Sequence, residues 1–495
     1  MQAVQDAMLQ KRQLEILDKG LESTTRPLSV IILGAGMAGL VAGSLLKAAG
    51  HEVTILEANN RVGGRVFTMR SPFSEGLYLD MGAMRISQNH KLTLQLIKKF
   101  KLKVRPFYNA TTDDLIYTNG ILTNYKKYKR TPSLLRFPLN TEEEDKTATE
   151  LLNTLLKPLI QLQNQDPKAF QDKLSFYDHY SVNDFLKYNP FNLELSQGAI
   201  DMIEVLLGIK AFSTLSFAEI LKQYMLELCL EGEHFYEIAG GNDQLPTAFL
   251  SELQGDILLE KVCKKIDLQG NKVVIEALSS ESGRSIHLTS DIVITTLPYP
   301  LFRFMKITPY DALSYEKWKS IRTIHSGAAV KVGIEFKHKF WEAEGLAGCK
   351  AVTDLPIRFT YYPHPERDQQ HAVILASYTL ERDAFVWEGF SNEQRVIEAL
   401  ENLAILHGKH IYKAFVTGSS HSWMQDPYAG GAFAAFKPGQ KAELASAIAS
   451  PEGRLYFAGE QTSHFPCWIE GAVESGIRVA EEVNQIGLSP SSLIG

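Results

Sequence analysis

The strongest constraint on the fold of this chain lies near its start. The apolar run Val30-Ile31-Ile32-Leu33 enters Gly34-x-Gly36-x-x-Gly39, an amphipathic stretch Leu40 to Ala49 follows, and a second apolar run from Val53 ends on the acid Glu57. Strand, glycine turn, helix and strand in that order make the first βαβ unit of a dinucleotide-binding fold. Each glycine answers a separate need: Gly34 the tight turn, Gly36 the approach of backbone to a pyrophosphate, Gly39 close helix-to-strand packing. The helix N-terminus complements diphosphate charge. Glu57 is placed to accept from the ribose hydroxyls of an adenosine, and an acid there repels a 2′-phosphate, which makes NADP the wrong ligand.

Just past that acid, Arg61-x-Gly63-Gly64-Arg65 adds two more glycines and a guanidinium. A nicotinamide enzyme has no need of a second glycine pair here. A long, bent cofactor lying across the sheet needs backbone clearance and a cation, and FAD is such a cofactor. The combined stretch resembles the flavoprotein amine oxidase family. Near the other end, Leu455-Tyr456-Phe457-Ala458 reads as a buried strand, Gly459-Glu460 as its turn, and Ile469 to Val483 as a helix with apolar Val473, Ile477 and Val479. In flavin folds such a pair returns to the cofactor, where the positive helix end faces the flavin pyrimidine and stabilises the anion formed on reduction.

With 495 residues, 45% of them hydrophobic, the chain is too long for one simple domain. A net charge of -6 with scattered lysines and arginines supplies no basic stripe for nucleic acid and no polybasic membrane patch. No apolar run reaches about 18 residues, and Met1 to Gly20 reads as a polar helical arm without the apolar core of a signal peptide. The expectation is a soluble, cytoplasmic protein with neither nucleic acid nor membrane as partner, forming a homodimer or higher homo-oligomer. Cys229, Cys263, Cys349 and Cys467 show no CxxC or Cys/His spacing, so no metal site or disulfide framework is expected. Asn109-Ala110-Thr111 matches the glycosylation pattern, a coincidence in a chain without a secretory signal.

Flavin signatures at both ends require a cofactor domain assembled from separate segments, with strand-like runs at Val273 to Ala277 and Asp291 to Thr296 as a middle contribution. Between them, Leu151, Leu152, Leu155, Leu156, Leu159 and Ile160 follow helical spacing broken at Pro158, and Ser181 with Asp184 and Ser216 with Glu219 read as capping boxes. The acidic run Glu142 to Asp145 is a solvated helix start or loop. After Ser326 the runs Ala328 to Phe336, Ile357 to Tyr362 and Ala372 to Thr379 suggest a mixed sheet. The expected class is α/β: an FAD-binding doubly wound (Rossmann-like) domain from 27–66, 237–323 and 441–486, an α+β substrate-binding domain from 1–20, 67–135 and 324–440, and an all-helical insert at 136–236.

A flavin domain alone does not name a reaction. Arg85, in Gly82-Ala83-Met84-Arg85 after the strand-like Leu77 to Met81, offers a planar charged fork that matches a carboxylate, though a structural salt bridge fits as well. By alternation Tyr378 shares a face with Ala372, Ile374 and Ala376, as a core tyrosine would. Lys331 alternates with Ala329, Gly333 and Glu335, as on a solvated polar face. Trp423 and Trp468 read as packing residues.

Together with Phe340-Trp341-Glu342, Thr353-Asp354-Leu355-Pro356, Arg358-Phe359-Thr360-Tyr361-Tyr362-Pro363 and Tyr456 to Glu460, these residues occur in an order similar to that of the L-amino-acid oxidases, from about Pro27 to Asn484. The resemblance implies a catalytic set of Arg85 and Tyr378, which hold the substrate carboxylate, and Lys331, which holds a water at flavin N5. Substrate contacts would add Trp468, Phe433 and Tyr361. Cofactor contacts would come from Gly34, Gly36, Met37, Ala38, Gly39, Glu57, Ala58, Gly63, Gly64 and Arg65, from Gly82, Ala83, Met84 and Arg85, and from Val262, Trp423, Gly459, Glu460, Trp468 and Ile469. It further implies that an L-amino acid is oxidised to an imino acid, hydrolysed to a 2-oxo acid and ammonia, with O2 reduced to hydrogen peroxide. Two departures stand out. A pocket histidine of the venom enzymes has no clear partner near Gln223 to Met225, which leaves solvent or a water near Lys331 to accept the ammonium proton. Cys467 stands where those enzymes have glycine, which predicts a tighter pocket beside Trp468.

Phe433, Trp468, Tyr361 and the apolar helices around Leu226 suggest a roomy pocket for aromatic or large aliphatic side chains. Glu227, Glu231 and Glu233 leave open a preference for lysine or arginine. An amino-acid 2-monooxygenase of similar fold shares the carboxylate clamp, whereas an amine or polyamine oxidase has no carboxylate for Arg85 to meet. A Rab-GDI-like binding protein would not need Glu57, Arg65, Glu460 and Trp468.

Overall fold

The computed structural model describes residues 2–225, 234–363 and 370–488. Its first sheet has five parallel strands in the order Ile257–Leu258, Glu52–Leu56, Ser29–Leu33, Ile292–Thr295, Leu455–Phe457. Ser29–Leu33 pairs on one side with its near neighbour in sequence, Glu52–Leu56, and on the other with Ile292–Thr295, which in turn pairs with Leu455–Phe457, so one sheet gathers segments hundreds of residues apart. Two helices cover it. The glycine-turn helix Met37–Ala48 crosses the last helix Ile469–Leu488 so closely that a β-carbon on Gly476 would stand 2.6 Å from the Ala38 carbonyl oxygen. The N-terminal helix Gln2–Lys19 buries Ile16 and Leu17 in this same core.

The second sheet has seven strands in the order Phe415–Ser422, Ala329–Phe336, Ala372–Leu380, Phe359–Tyr361, Lys350–Thr353, Leu115–Thr118, Ile121–Asn124. It is mixed, because Lys350–Thr353 and Leu115–Thr118 run parallel and the other pairs antiparallel. Helices dominate the stretch from Ala148 to Met225. The helix Ala148–Gln165 runs through Pro158 instead of breaking there. Its buried face of Leu151, Leu152, Leu155, Leu156 and Leu159 outweighs the one hydrogen bond that proline removes. Thr147 and Glu150 form its reciprocal capping box. Ser181 and Ser216 cap the next helices by accepting from Asp184 N and Glu219 N. The Glu219 carboxylate pairs with Lys441 rather than returning to its own cap.

Strand alternation fails at one place. Ile334 pairs with Ile374, Gly333 with Leu375, Val332 with Ser377 and Lys331 with Tyr378, so Ala376 is an extra residue, a β-bulge. Ile374 and Ala376 pack in the apolar layer with Val332 and Ile334. Tyr378, four residues past Ile374, lies instead on the opposite face with Lys331. Regular alternation placed it in the core; the bulge re-aims it. Among the described residues, no helix is long and apolar enough to cross a membrane.

Candidate functional site

A cavity of about 1150 Å³ runs from the glycine turn of the first sheet to the buried face of the second. At its first end Gly34 has φ 105, and a β-carbon on Gly39 would come within 2.0 Å of the Gly34 carbonyl oxygen, so only glycine lets the helix begin this near the strand. Gly36 differs: a β-carbon there would meet nothing within 4 Å, only open cavity, and the helix that starts after it has no side-chain cap. Glu57 is buried, accepting from Ala35 N at 2.7 Å and Asn59 N at 2.8 Å, and burial raises its pKa. Arg65 Nη1 donates to Glu460 Oε1 at 2.8 Å, an ion pair that ties the second glycine motif to the turn after the late strand.

The strand Ala329–Phe336, interior to the second sheet, is buried at every position, which overturns the solvated face expected for Lys331. Its polar face lies beneath the turn after Asp80. Lys331, 2% exposed, donates from Nζ to Asp80 O at 3.0 Å and Gly82 O at 2.6 Å. Burial pushes this ammonium down to about 7. The Asp80 carboxyl, which accepts from Thr68 Oγ1 and Asn242 N, is pushed up by the same burial. Lys331 Nζ stands 4.8 Å from the Tyr378 ring centroid. Burial raises the Tyr378 hydroxyl to about 12, so it remains a donor near neutral pH.

Arg85 Nη1 donates to Asn109 Oδ1 at 2.8 Å, and its guanidinium carbon lies 5.4 Å from the Phe235 ring and 5.8 Å from the Trp468 ring. Trp468 meets His90 edge to face at 4.8 Å. His90 Nδ1 accepts from Ser87 N, and burial, with Arg85 adding repulsion, holds the imidazole neutral by lowering its pKa to about 3. Trp423 donates from Nε1 to Met81 O at 3.0 Å. Phe433 leans on Gly327, where a β-carbon would come within 2.4 Å of its ring.

Most of the site residues expected from the sequence line this one cavity; Gly39 and Val262 do not. Gly39 serves packing, and Val262 belongs to the strand Lys261–Asp267 of a separate sheet, where Lys261 N donates to Glu57 O at 2.8 Å. Leu226, Glu227, Glu231 and Glu233, and the Gln223 side chain, lie outside the described residues. Asn109, His90 and Phe235 were missed. Asn109 carried only a misleading signal, its place in an acceptor pattern for glycosylation, because no spacing along the chain links it to Arg85.

The chain belongs to the family of flavin-containing amine oxidoreductases, whose model matches residues 37–484. It is 44% identical over 483 residues to the YobN protein of Bacillus subtilis (strain 168), spanning 97% of this chain and 100% of that one. To the L-amino-acid oxidase of Naja atra it is 34% identical over 482 residues, 97% of this chain and 92% of the other. Two solved structures share the fold. Putrescine oxidase bound to putrescine superposes with a TM-score of 0.74 at 20% identity, over 92% of this chain and 98% of that one. Cyclohexylamine oxidase from Brevibacterium oxydans IH-35A gives 0.72 at 19%, over 93% and 99%. The protein is therefore an FAD-dependent oxidase.

Proposed function

We propose that the protein oxidises L-amino acids to 2-oxo acids, releasing ammonia and hydrogen peroxide, with large apolar or aromatic side chains preferred. The observation that carries this reading is the arginine fork of Arg85 inside the cavity, flanked by Trp468 and Phe235, on a chain that is similar throughout to an L-amino-acid oxidase.

The open space beside Gly36, the uncapped helix start and the buried acid Glu57 suit the pyrophosphate and ribose of FAD, which Gly34, Met37, Ala38, Gly63, Gly64 and Arg65 would help to hold. When bound, FAD supplies a hydride acceptor for the substrate α-carbon and a route for two electrons to O2. Arg85 binds the carboxylate through two parallel N–H bonds, and the Tyr378 hydroxyl donates another. Asn109 keeps the guanidinium aligned. Holding the carboxylate at this end fixes which way the α-hydrogen points. The substrate amine must shed a proton first, and His90, held neutral by burial, is a poor store for it. We assign that proton to a water beside Lys331. Two Lys331 N–H groups are committed to carbonyls, so in its neutral form the lysine keeps its lone pair for this water and takes the proton through it.

The helical stretch adds Leu206, Phe212, Ile220 and Tyr224 to the wall, which supports the apolar preference. Asp114 also lines it, but its carboxylate already accepts from Thr111 N, Thr111 Oγ1 and Lys350 N, so it is a weak partner for a cationic side chain. A panel of L-amino acids, with peroxide and ammonia both measured, tests the reading. One peroxide and one ammonia per amino acid are expected. An amide product without peroxide would make the protein a monooxygenase and overturn it.

A further inference from the structure

Among the described residues, Cys467 is the non-glycine residue of positive φ, 73°, that lines the main cavity. A β-carbon on such a backbone is strained, and strain persists only where the surroundings impose it. They do so here from several sides. Cys467 N donates to Glu460 Oε2 at 2.9 Å, and Glu460 Oε1 in turn accepts from Arg65 Nη1 at 2.8 Å and Ala434 N at 2.9 Å. The thiol itself points back to Ala434 O at 3.3 Å. Burial first, then the Glu460 charge, keeps this sulfur protonated, so it acts by volume and not as a nucleophile.

The side chain keeps open surface although it lies inside the protein, because that surface faces the cavity. Its neighbours place it at a particular end. Trp468 follows it in the chain, and Ala434 of the strand Phe433–Ala435 holds its sulfur. This is the end of the cavity where Trp468 stands against Arg85. With the carboxylate on Arg85 and Tyr378 and the side chain along the apolar wall, the α-nitrogen is the substituent left to face Cys467.

We propose that Cys467 determines specificity at the amine: its side chain fills the space that a substituent on the α-nitrogen would need, and so confines the protein to primary α-amino acids. This rests on the carboxylate reading of Arg85 and Tyr378. The test compares kcat/KM for N-methyl-L-phenylalanine with that for L-phenylalanine in the flavin-loaded protein, in Cys467→Gly and in Cys467→Ala. One methyl group in a tight pocket is worth roughly 10- to 200-fold, so the parent ratio should be low and Cys467→Gly should raise it by about tenfold or more. Cys467→Ala, which removes the sulfur but keeps the β-carbon, should raise it less, and it decides the matter if the glycine variant loses flavin. An active parent whose ratio is unchanged in the variants overturns this inference alone. A parent that oxidises no L-amino acid overturns the carboxylate reading, and the inference with it.

Discussion

Arg85 is the residue on which the substrate class turns. Leaving a buried carboxylate without its charged partner costs about 3 to 5 kcal/mol, so Arg85→Ala should lower kcat/KM by about a hundredfold to several thousandfold. Tyr378→Phe removes one donor to a charged group, about 1.5 to 3 kcal/mol, hence roughly ten- to a hundredfold. Steady-state kinetics should preserve that order, and the Arg85 variant should also lose its preference for amino acids over the corresponding amines. Lys331 adds a pH dependence with a definite sign. Burial lowers its pKa to about 7, so it is an ammonium below that pH and an amine above it. The reaction of the reduced protein with O2 should therefore slow as pH rises through neutrality, and stopped-flow traces of Lys331→Met should be slower and lack that limb. For Arg85 the sequence left two readings, carboxylate clamp or structural salt bridge, and the proposed role follows the one that the family resemblance favours. Lys331 was not legible from alternation, because a period of two reports that a strand has two faces and not whether each is covered.

At the scale of elements, the glycine turn was legible where Gly34 and Gly39 meet steric demands that no other side chain satisfies, while Gly36 borders only open cavity. Gly36→Val should yield apoprotein: its β-carbon would meet no protein atom within 4 Å, and the branched side chain would occupy the open space left for the pyrophosphate. Flavin absorbance of the purified variant checks it, and a full flavin complement would count against the assignment. The last helix carries a further device that pattern reading could not find. Glu470, in its first turn, accepts from Leu92 N, Thr93 N and Thr93 Oγ1, and so caps the separate helix Lys91–Lys99 across the molecule. Glu470→Ala would strand two buried amides, at a cost of about 2 to 4 kcal/mol, visible as a lower Tm. Caps supplied by the same stretch of chain, such as Ser181, announce themselves in sequence; one supplied from hundreds of residues away does not.

Over the whole molecule, the cavity lies between two sheets whose strands interleave along the chain, so filling it joins segments from both ends. FAD added to apoprotein should raise Tm progressively with concentration, as mass action requires of a ligand that binds only the folded state. The discontinuity of the cofactor sheet was legible because its motifs sit at the two termini. The spatial meeting of Asn109 with Arg85 was not, since it depends on the distant strand Phe235–Ile238 pairing both with Ile86–Ser87, next to Arg85, and with Val104–Phe107, just before Asn109. The bulge at Ala376 has a consequence for the lineage of such chains. From the apolar Ile374 to the cavity-facing Tyr378 is an even step, where an uninterrupted ladder would demand an odd one. Loss of Ala376 would leave both pairings intact, whereas loss of a residue elsewhere in the strand would turn one face inside out. Length variation among descendants should therefore be tolerated at that position and purged on either side, a parity rule that deletion scanning can read out.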